Sequence, residues 1–419
     1  MQFAERMSRI SVSHTAAVVA KAAKLKAIGA KVVDFGAGEP DFPTPTNIKR
    51  AAILALEQDF TKYTPTGGIA ELKKAIVERH AQDFDSSYTP EECLVTVGGK
   101  QAVFEAIVAT VQQGHEVILP VPYWVSFLDI ILYAGGKPVL LETHEEEDFV
   151  VRAKDIERLI TPRTRMIIID SPNNPTGAVV PPEEMENILA LAEQHKIWLL
   201  SDECYCHFVY DGVEPFSLGV SGNRENLIVV GSLSKTYAMT GWRIGFALGS
   251  TQLLAHMLGL QSHSTSNASS IVQKAAVEAL NGPQDSVATM LAEYDRRRRR
   301  IMAGLSAIPG IRCSLPKGAF YVYPNVSAYL SREDTAALAD RLLDEARLAL
   351  VPGSAFGTSE HVRISYATSQ EQIDEGLQRL KTFFAGRTPE DVTSFSHLVP
   401  QSLSSSVTRS LVRDREQKD

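Results

Sequence analysis

The stretch Gly231-Ser-Leu-Ser-Lys-Thr-Tyr-Ala-Met-Thr-Gly-Trp-Arg-Ile-Gly245 sets Lys235 among small hydroxyl residues directly after an apolar run, with Arg243 eight positions on. A lysine amine forms a Schiff base near pH 7 only if part of it is neutral, which requires desolvation or nearby positive charge. Ser232 and Arg243 could grip a phosphate, whose dianion arginine recognises in bidentate fashion. The competing reading is a surface lysine at a strand-to-helix turn. Asp202, in Ser201-Asp-Glu-Cys-Tyr205, ends another apolar run upstream. An ionised carboxylate at the bottom of a pocket can keep a pyridine nitrogen protonated and so make the ring an electron sink. Tyr205 could hydrogen-bond a phenolate oxygen on the same ring. A strand-end aspartate is also often a cap for the next turn, a reading that weakens once Lys235 is considered with it.

Other segments offer parts of a binding site, each with a blander alternative. Ser171-Pro-Asn-Asn-Pro-Thr-Gly177 is a rigid turn that could aim the Asn174 amide at a ligand, or a turn and nothing more. Val97-Gly-Gly-Lys-Gln-Ala102 joins a strand to a helix, and bare glycines there let backbone N–H groups approach a phosphate. Trp124, in Pro122-Tyr-Trp, could stack on a flat heterocycle, though aromatics there more often belong to a core. Arg363 sits in the apolar stretch His361-Val-Arg-Ile-Ser-Tyr-Ala367 and needs an anionic partner, either a substrate α-carboxylate or an internal Asp or Glu.

These residues need a scaffold, and the pattern supplies one. Apolar strands are expected at Cys93–Val97, Glu116–Leu119, Lys137–Leu141, Met166–Asp170, Ile197–Asp202, Leu227–Gly231 and Gly245–Leu248. Helical patterns lie between them, as at Lys100–Val111, Pro182–His195 and a long run from Asn267 to Leu305. Alternation of this kind indicates an α/β fold with a mainly parallel sheet covered on both faces, whose ligands sit beyond the carboxyl ends of the strands. After about Leu305 a smaller α+β unit follows, expected to pack with Arg6–Gly29. The run Arg296–Arg300 is expected to be a solvated or interface face, and Cys204 and Cys206, flanking Tyr205, to be packing residues.

The 419 residues carry 42 Lys and Arg against 50 Asp and Glu, a net charge of −8, which argues against a nucleic-acid or anionic-membrane binder. Four cysteines without paired C-x-x-C spacing exclude an evident zinc site, so no metal is expected, and they read as reduced thiols. Met1–Ile10 has no signal-like apolar stretch and no run reaches the ~20 residues of a membrane span, so a soluble, cytoplasmic protein is expected.

Taken in order, Gly38-Glu-Pro-Asp-Phe, Lys62-Tyr-Thr-Pro-Thr-Gly-Gly, Asn174-Pro-Thr-Gly, Asp202-x-x-Tyr205 and Ser232-x-Ser-Lys235 with Arg243 resemble the class I aminotransferases of the fold-type-I pyridoxal-phosphate enzymes, over approximately Ser8 to Phe384. The resemblance implies a large domain with a mainly parallel central sheet at 46–285 and a smaller α+β domain at 286–385. An N-terminal segment, 1–45, would pack with the latter, and a polar tail would occupy 386–419. It implies pyridoxal 5'-phosphate as cofactor and Lys235 as the Schiff-base lysine that also moves the substrate proton. Asp202 falls at the pyridine-nitrogen position, Tyr205 and Asn174 at the ring oxygen, and Trp124 at the stacking position. Gly99, Lys100 (backbone), Ser232 and Arg243 fall at the phosphate. Tyr63 matches a tyrosine that reaches the phosphate of the neighbouring subunit, which implies a homodimer with shared sites. Arg363, Asn174 and the backbone at Gly38 match the α-carboxylate clamp.

Within the family, Gly99-Lys-Gln-Ala and Pro122-Tyr-Trp-Val-Ser-Phe look most like the bacterial aspartate and aspartate/prephenate branch. That likeness implies aspartate and 2-oxoglutarate as substrates, with the Lys100 side chain, Ser13 and Thr15 on the distal carboxylate. A solvated first-turn lysine is the alternative for Lys100. Ser11-Val12 stands where many relatives carry Lys-Pro, a departure that bears on prephenate use. The rival functions are an aminotransferase for aromatic or other neutral amino acids, a different reaction on the same scaffold, and a non-catalytic metabolite sensor.

Overall fold

The structure, a computed structural model, describes residues 3–10, 14–330 and 333–385. Its strands are β1 (Val33–Asp34), β2 (Cys93–Thr96), β3 (Glu116–Val121), β4 (Lys137–Glu142), β5 (Thr164–Asp170), β6 (Trp198–Asp202), β7 (Leu227–Ser232), β8 (Gly245–Leu248), β9 (Tyr321–Val322), β10 (Leu348–Ala349), β11 (Val351–Pro352) and β12 (Val362–Ser365). The α-helices are α1 (His14–Ala27), α2 (Thr46–Glu57), α3 (Ala70–Phe84), α4 (Gly99–Thr110), α5 (Val125–Tyr133), α6 (Ala153–Glu157), α7 (Pro182–His195), α8 (Leu233–Thr236), α9 (Thr251–Ser262), α10 (Ser270–Asn281), α11 (Asp285–Ser306), α12 (Thr335–Ala346) and α13 (Gln370–Ala385).

Seven strands form one sheet in the order β2-β8-β7-β6-β5-β3-β4. Neighbours from β4 through β7 run parallel, and only β8 runs antiparallel, to β2 and β7. In β5 the side chains alternate between faces: Ile167 and Ile169 join one hydrophobic cluster with α3, α7 and α10, while Met166 and Ile168 join another with α4, α5 and α9. Burial on both faces is why these strands read as continuous apolar runs rather than as alternating ones. Each such isoleucine or methionine contributes about 1.5–3 kcal/mol by burial, which fixes the register of the polar residue at the strand end. That register sets Asp170 level with Asp202 across β5 and β6.

A second, smaller assembly holds the antiparallel sheet β11-β12-β9 and the parallel pair β1-β10. Its core lies under α11, α12 and α13 and includes Phe35, Tyr294, Phe320 and Tyr366. Phe35 is stitched into it by backbone hydrogen bonds, donating to Ala349 and accepting from Ser365. The chain leaves this assembly at Gly36 and then runs past the carboxyl ends of the large sheet.

The expected strands and helices are present within a few residues of their bounds, with three differences. The run from Asn267 to Leu305 is two helices, α10 and α11, because Gly282-Pro283 interrupts it, and proline cannot continue a helix. The stretch Arg6–Gly29 divides. Its helix α1 lies on β10 and β11, but Glu5–Arg9 is a 3-10 turn against α5 of the large sheet, with the Arg6 guanidinium 6.0 Å from the Tyr133 ring centroid. The arginine run is not a uniform surface either. Arg297 and Arg298 are buried, and Arg298 bonds both Asp211 and Asp295 while Arg297 bonds Asp41 and Glu293. At one helical turn's spacing, two of five consecutive residues face inward.

Candidate active site

Three strand ends and three helix starts converge on one cleft of about 670 Å3. The α8 turn begins as β7 ends. Ser232 caps it by accepting from Ser234 N at 3.1 Å, and this single helical turn carries Lys235 into the cleft. The Lys235 Nζ donates to the Gly38 carbonyl, on the strand-like segment that leaves the small assembly. Burial lowers its pKa to about 8. Arg363 and Arg243 push the same way, against the charges of Cys204 and Glu39. An amine so placed is partly neutral near physiological pH, which is what carbonyl attack requires.

Beneath it stand two carboxylates side by side. Asp202 and Asp170 end adjacent parallel strands, and both line the cleft. Burial, and for Asp170 the charge of Asp202, raises both pKa values. Each keeps one backbone donor: Cys204 N to Asp202 Oδ1 at 3.1 Å and Asn174 N to Asp170 Oδ2 at 3.1 Å. A cation between them is what would let both ionise.

The anion-binding features are built on glycine. Gly98 has φ +88, and a Cβ there would fall 2.3 Å from the Arg243 guanidinium; a Cβ on Gly99 would strike the Cys204 sulfur at 2.9 Å. The α4 amino terminus therefore lies open beside Arg243 and Ser232, a cradle that any larger side chain would fill. Among the described residues Arg243 bonds only carbonyl oxygens, of Thr240 at 2.8 Å and Val97 at 3.4 Å. Lys100, on the first turn of α4, has its Nζ 5.0 Å from the Trp124 ring centroid, and burial with Arg243 nearby lowers its pKa.

Arg363 is 3% exposed, and of its alternatives the internal carboxylate is not the one found. It donates to Asn174 Oδ1 at 2.9 Å and to the Gly36 carbonyl at 2.9 Å, lies 4.5 Å over the Tyr321 ring, and leaves Nε without a partner. With Oδ1 so engaged, the Asn174 amide has N–H groups left to offer a ligand. The Tyr205 and Tyr321 hydroxyls are 2.8 Å apart.

Gly38, Gly99, Lys100, Trp124, Asn174, Asp202, Tyr205, Ser232, Lys235, Arg243 and Arg363 thus line a single cleft although they span most of the chain. Tyr63 does not join them: it is 93% exposed. Ser13 lies outside the described residues, as does the Thr15 side chain. Asp170 and Tyr321 were not expected in the cleft. Asp170 carries the same signal as Asp202, a charge closing an apolar strand, whereas nothing in Gly318-Ala-Phe-Tyr-Val-Tyr323 distinguishes Tyr321 from its core neighbours.

A desolvated lysine at the carboxyl end of a mainly parallel sheet, over paired carboxylates and beside unpaired guanidinium groups, defines a protein built for amine–carbonyl chemistry on an anionic ligand. The family model for aminotransferase class I and II matches residues 30–380, and the chain belongs to that family. It is 43% identical over 385 residues to an aspartate aminotransferase of Bacillus sp. (strain YM-2), covering 91% of this chain and 98% of that one. It is 42% identical over 399 residues to an aspartate/prephenate aminotransferase of Cereibacter sphaeroides, covering 91% and 98%. Among solved structures, the aspartate aminotransferase of Thermus thermophilus with maleate superposes with a TM-score of 0.88 at 42% identity, over 91% of this chain and 99% of that one. The fold is that of these aminotransferases.

Proposed function

We propose that this aminotransferase holds pyridoxal 5'-phosphate in the cleft and moves the amino group of L-aspartate to 2-oxoglutarate in a ping-pong sequence. The observation that carries the reading is a count of charges. Lys100, Arg243 and Arg363 all line the cleft, and none of the three has an ion-pair partner among the described residues. Arg363 is buried, and a buried cation without a partner is costly unless a ligand supplies one, while Lys100 and Arg243 stand exposed on the cleft wall where a ligand's charge can reach them. One cofactor phosphate and the two carboxylates of a dicarboxylic substrate supply three.

Bound there, the cofactor contributes an aldehyde that condenses with amines and a protonated ring that withdraws electrons from the substrate α-carbon. The residues present fit it. Asp202, with Asp170 beside it, would hold the ring N–H, which is the cation that pair of carboxylates calls for. Tyr205 and Asn174 would donate to or share a proton with the ring oxygen, and Trp124 would cover the ring face. Ser232, Arg243 and the N–H groups at Gly99 and Lys100 would take the phosphate. Lys235 would hold the aldehyde carbon, then take the α-proton once substrate amine displaces it. Arg363, Asn174 and Gly38 would orient the α-carboxylate. The Lys100 side chain, with Ser13 and Thr15, would take the distal one.

Tyr63 fits a homodimer with shared sites: it would reach the phosphate of the other subunit. Exposed Ile53, Leu54 and Leu56 on α2 offer apolar surface of the sort an interface covers. Two working units, 46–285 and 286–385 with 1–45, and a cytoplasmic location complete the reading. Among the described residues no helix is long and apolar enough to cross a membrane.

Mixing the cofactor-loaded protein with each L-amino acid in turn tests the substrate. Aspartate should bleach the yellow absorbance fastest and phenylalanine far more slowly; the reverse order would replace aspartate with a neutral donor. Borohydride reduction followed by peptide mass spectrometry should place the cofactor on Lys235, and Lys235→Ala should lose both that label and turnover. A Lys235→Ala protein with near-normal turnover would refute the assignment.

A further inference from the structure

The α8 turn separates two recesses. One is the cleft, faced by Ser234 and Lys235. The other, a narrow recess of about 40 Å3, is faced by Leu233, Thr236 and Tyr237 together with α3 and the turn that follows β6. In this second recess the Asp83 Oδ2 lies 3.0 Å from His207 Nε2, and the His207 Nδ1 lies 3.3 Å from the Cys206 sulfur. The same Nδ1 is 3.4 Å from the Thr236 hydroxyl, and Arg79 holds the other Asp83 oxygen at 2.5 Å.

The order thiol, imidazole, carboxylate has a chemical consequence. An ionised carboxylate only accepts, so Nε2 carries a proton toward Asp83 and Nδ1 is left facing the thiol. An imidazole nitrogen so placed can take the thiol proton as the sulfur reacts. Burial opposes the imidazolium, but Cys206 and Asp83 outweigh it and raise the His207 pKa to about 10. His80 and Glu203 also line the recess. His80 is held neutral by burial, its pKa lowered to about 4, and Glu203, raised by burial to about 7, bonds Ser201 and Leu218 N rather than His207. The other cysteines lack such a partner: burial pushes the Cys93 and Cys313 thiols up to about 12 and raises Cys204 as well. Cys206 is 9% exposed, and the Arg79, Asp83 and His207 side chains are each partly open to solvent around it.

We propose that Cys206 is a modification site, a thiol activated by His207 and Asp83 for exchange with low-molecular-mass disulfides. The Cys206 thiolate attacks one sulfur of the disulfide; a new S–S bond forms, the old one breaks, and the departing thiolate takes the proton held on His207. The adduct sits one residue from Tyr205 and, through His207, against Thr236, the neighbour of Lys235. Modification is therefore coupled to the cleft and lowers transamination reversibly, in contrast to the packing role expected from sequence.

Oxidised glutathione is the probe, applied to the cofactor-loaded protein at neutral pH, with the modified peptides followed by mass spectrometry. The adduct should form on Cys206 at least about tenfold faster than on any other cysteine. Asp83→Asn and, separately, His207→Gln should slow it by about tenfold, and dithiothreitol should remove it. Cys206→Ser should retain activity and lose sensitivity to the probe. Labelling first at Cys204 or Cys313, labelling of Cys206 only in denaturant, or wild-type rates in both folded variants would overturn the proposal. Labelling is independent of the reaction proposed above, and only the loss of activity rests on it, so the two can fail separately.

Discussion

Arg298 and Arg363 are both buried arginines in the same smaller assembly, and they are satisfied in opposite ways. Arg298, 1% exposed, is closed off by Asp211, Asp295 and the Pro316 carbonyl. Among the described residues Arg363 has only a neutral amide and a carbonyl as acceptors, and Nε has none. The first pattern is self-contained and ties α11 to the loop at Asp211. The second leaves part of its electrostatic requirement to something the chain does not contain. Burial alone therefore says little about function; the partner set separates a structural cation from a binding one.

Replacing each arginine with methionine should split the two roles. Arg363→Met is expected to lower kcat/KM for aspartate by about a thousandfold, because it strips the charge partner from a desolvated carboxylate. Its melting temperature should stay close to the parent's, since no buried carboxylate is orphaned. A large fall in Tm with kcat/KM intact would reverse the assignment. Arg298→Met should do the opposite, costing about 3 kcal/mol of stability by leaving Asp211 and Asp295 without their cation, while kcat/KM of the folded protein stays within about twofold. Comparable kinetic damage at Arg298 would mean that the distinction between the two is not drawn by partner sets.

Lys235 sharpens the same contrast, because a lysine can give up a charge that an arginine keeps. Its pKa in the fold, about 8, lies below the ordinary value of 10.5. Between those values the unfolded chain binds the proton and the folded one does not, so this group's contribution to stability rises with pH from about 8 to 10.5 and is flat below. For protein prepared without cofactor, the stability of wild type relative to Lys235→Met should climb by about 2–3 kcal/mol across that window. His207 runs the other way. With a pKa raised to about 10, it adds stability that is full below 6.5 and fades up to about 10, so wild type relative to His207→Gln should decline there. Thermal melts of the three proteins in parallel would check both signs; a flat difference for Lys235→Met would show that the amine is not desolvated.

The sequence showed the lysine, its aspartate and the glycine turn because each follows an apolar run, and a fully buried parallel strand is hard to mistake. It also showed Arg363, but not which anion it serves, since Asn174 and Gly36 lie 189 and 327 residues away. The arginine run at 296–300 differs from a solvated or interface face for a related reason: Arg297 and Arg298 turn inward because carboxylates await them there, and Asp211 and Asp41 lie far off in sequence. Cys206 and His207 were adjacent and visible, yet Asp83, which gives the pair its chemistry, sits on α3 more than a hundred residues earlier. Local pattern identifies the groups that can do chemistry; the partners that decide whether they do are set by tertiary register.

Asp170 and Asp202 repeat, between two carboxylates, the contrast that Arg298 and Arg363 show between two cations. Asp202 and Asp170 are level across adjacent strands; burial makes both costly to ionise, and Asp170 in addition feels the charge of Asp202. Their pKa values in the fold lie above the unfolded ones, so the pair costs stability at neutral pH, and that cost disappears as pH falls below about 4, where both states are protonated. Asp170→Asn keeps an oxygen for the Asn174 N–H and removes one negative charge. Without cofactor it should therefore raise stability by about 1 kcal/mol at pH 7, with the gain shrinking toward zero near pH 4. With cofactor the sign should change: a protonated ring nitrogen between two carboxylates is held better than beside one, so the variant should release pyridoxal 5'-phosphate several-fold faster than the parent. Stabilisation without cofactor and unaltered release with it would mean that Asp170 only shapes the turn at 171–177 and that Asp202 meets the ring alone.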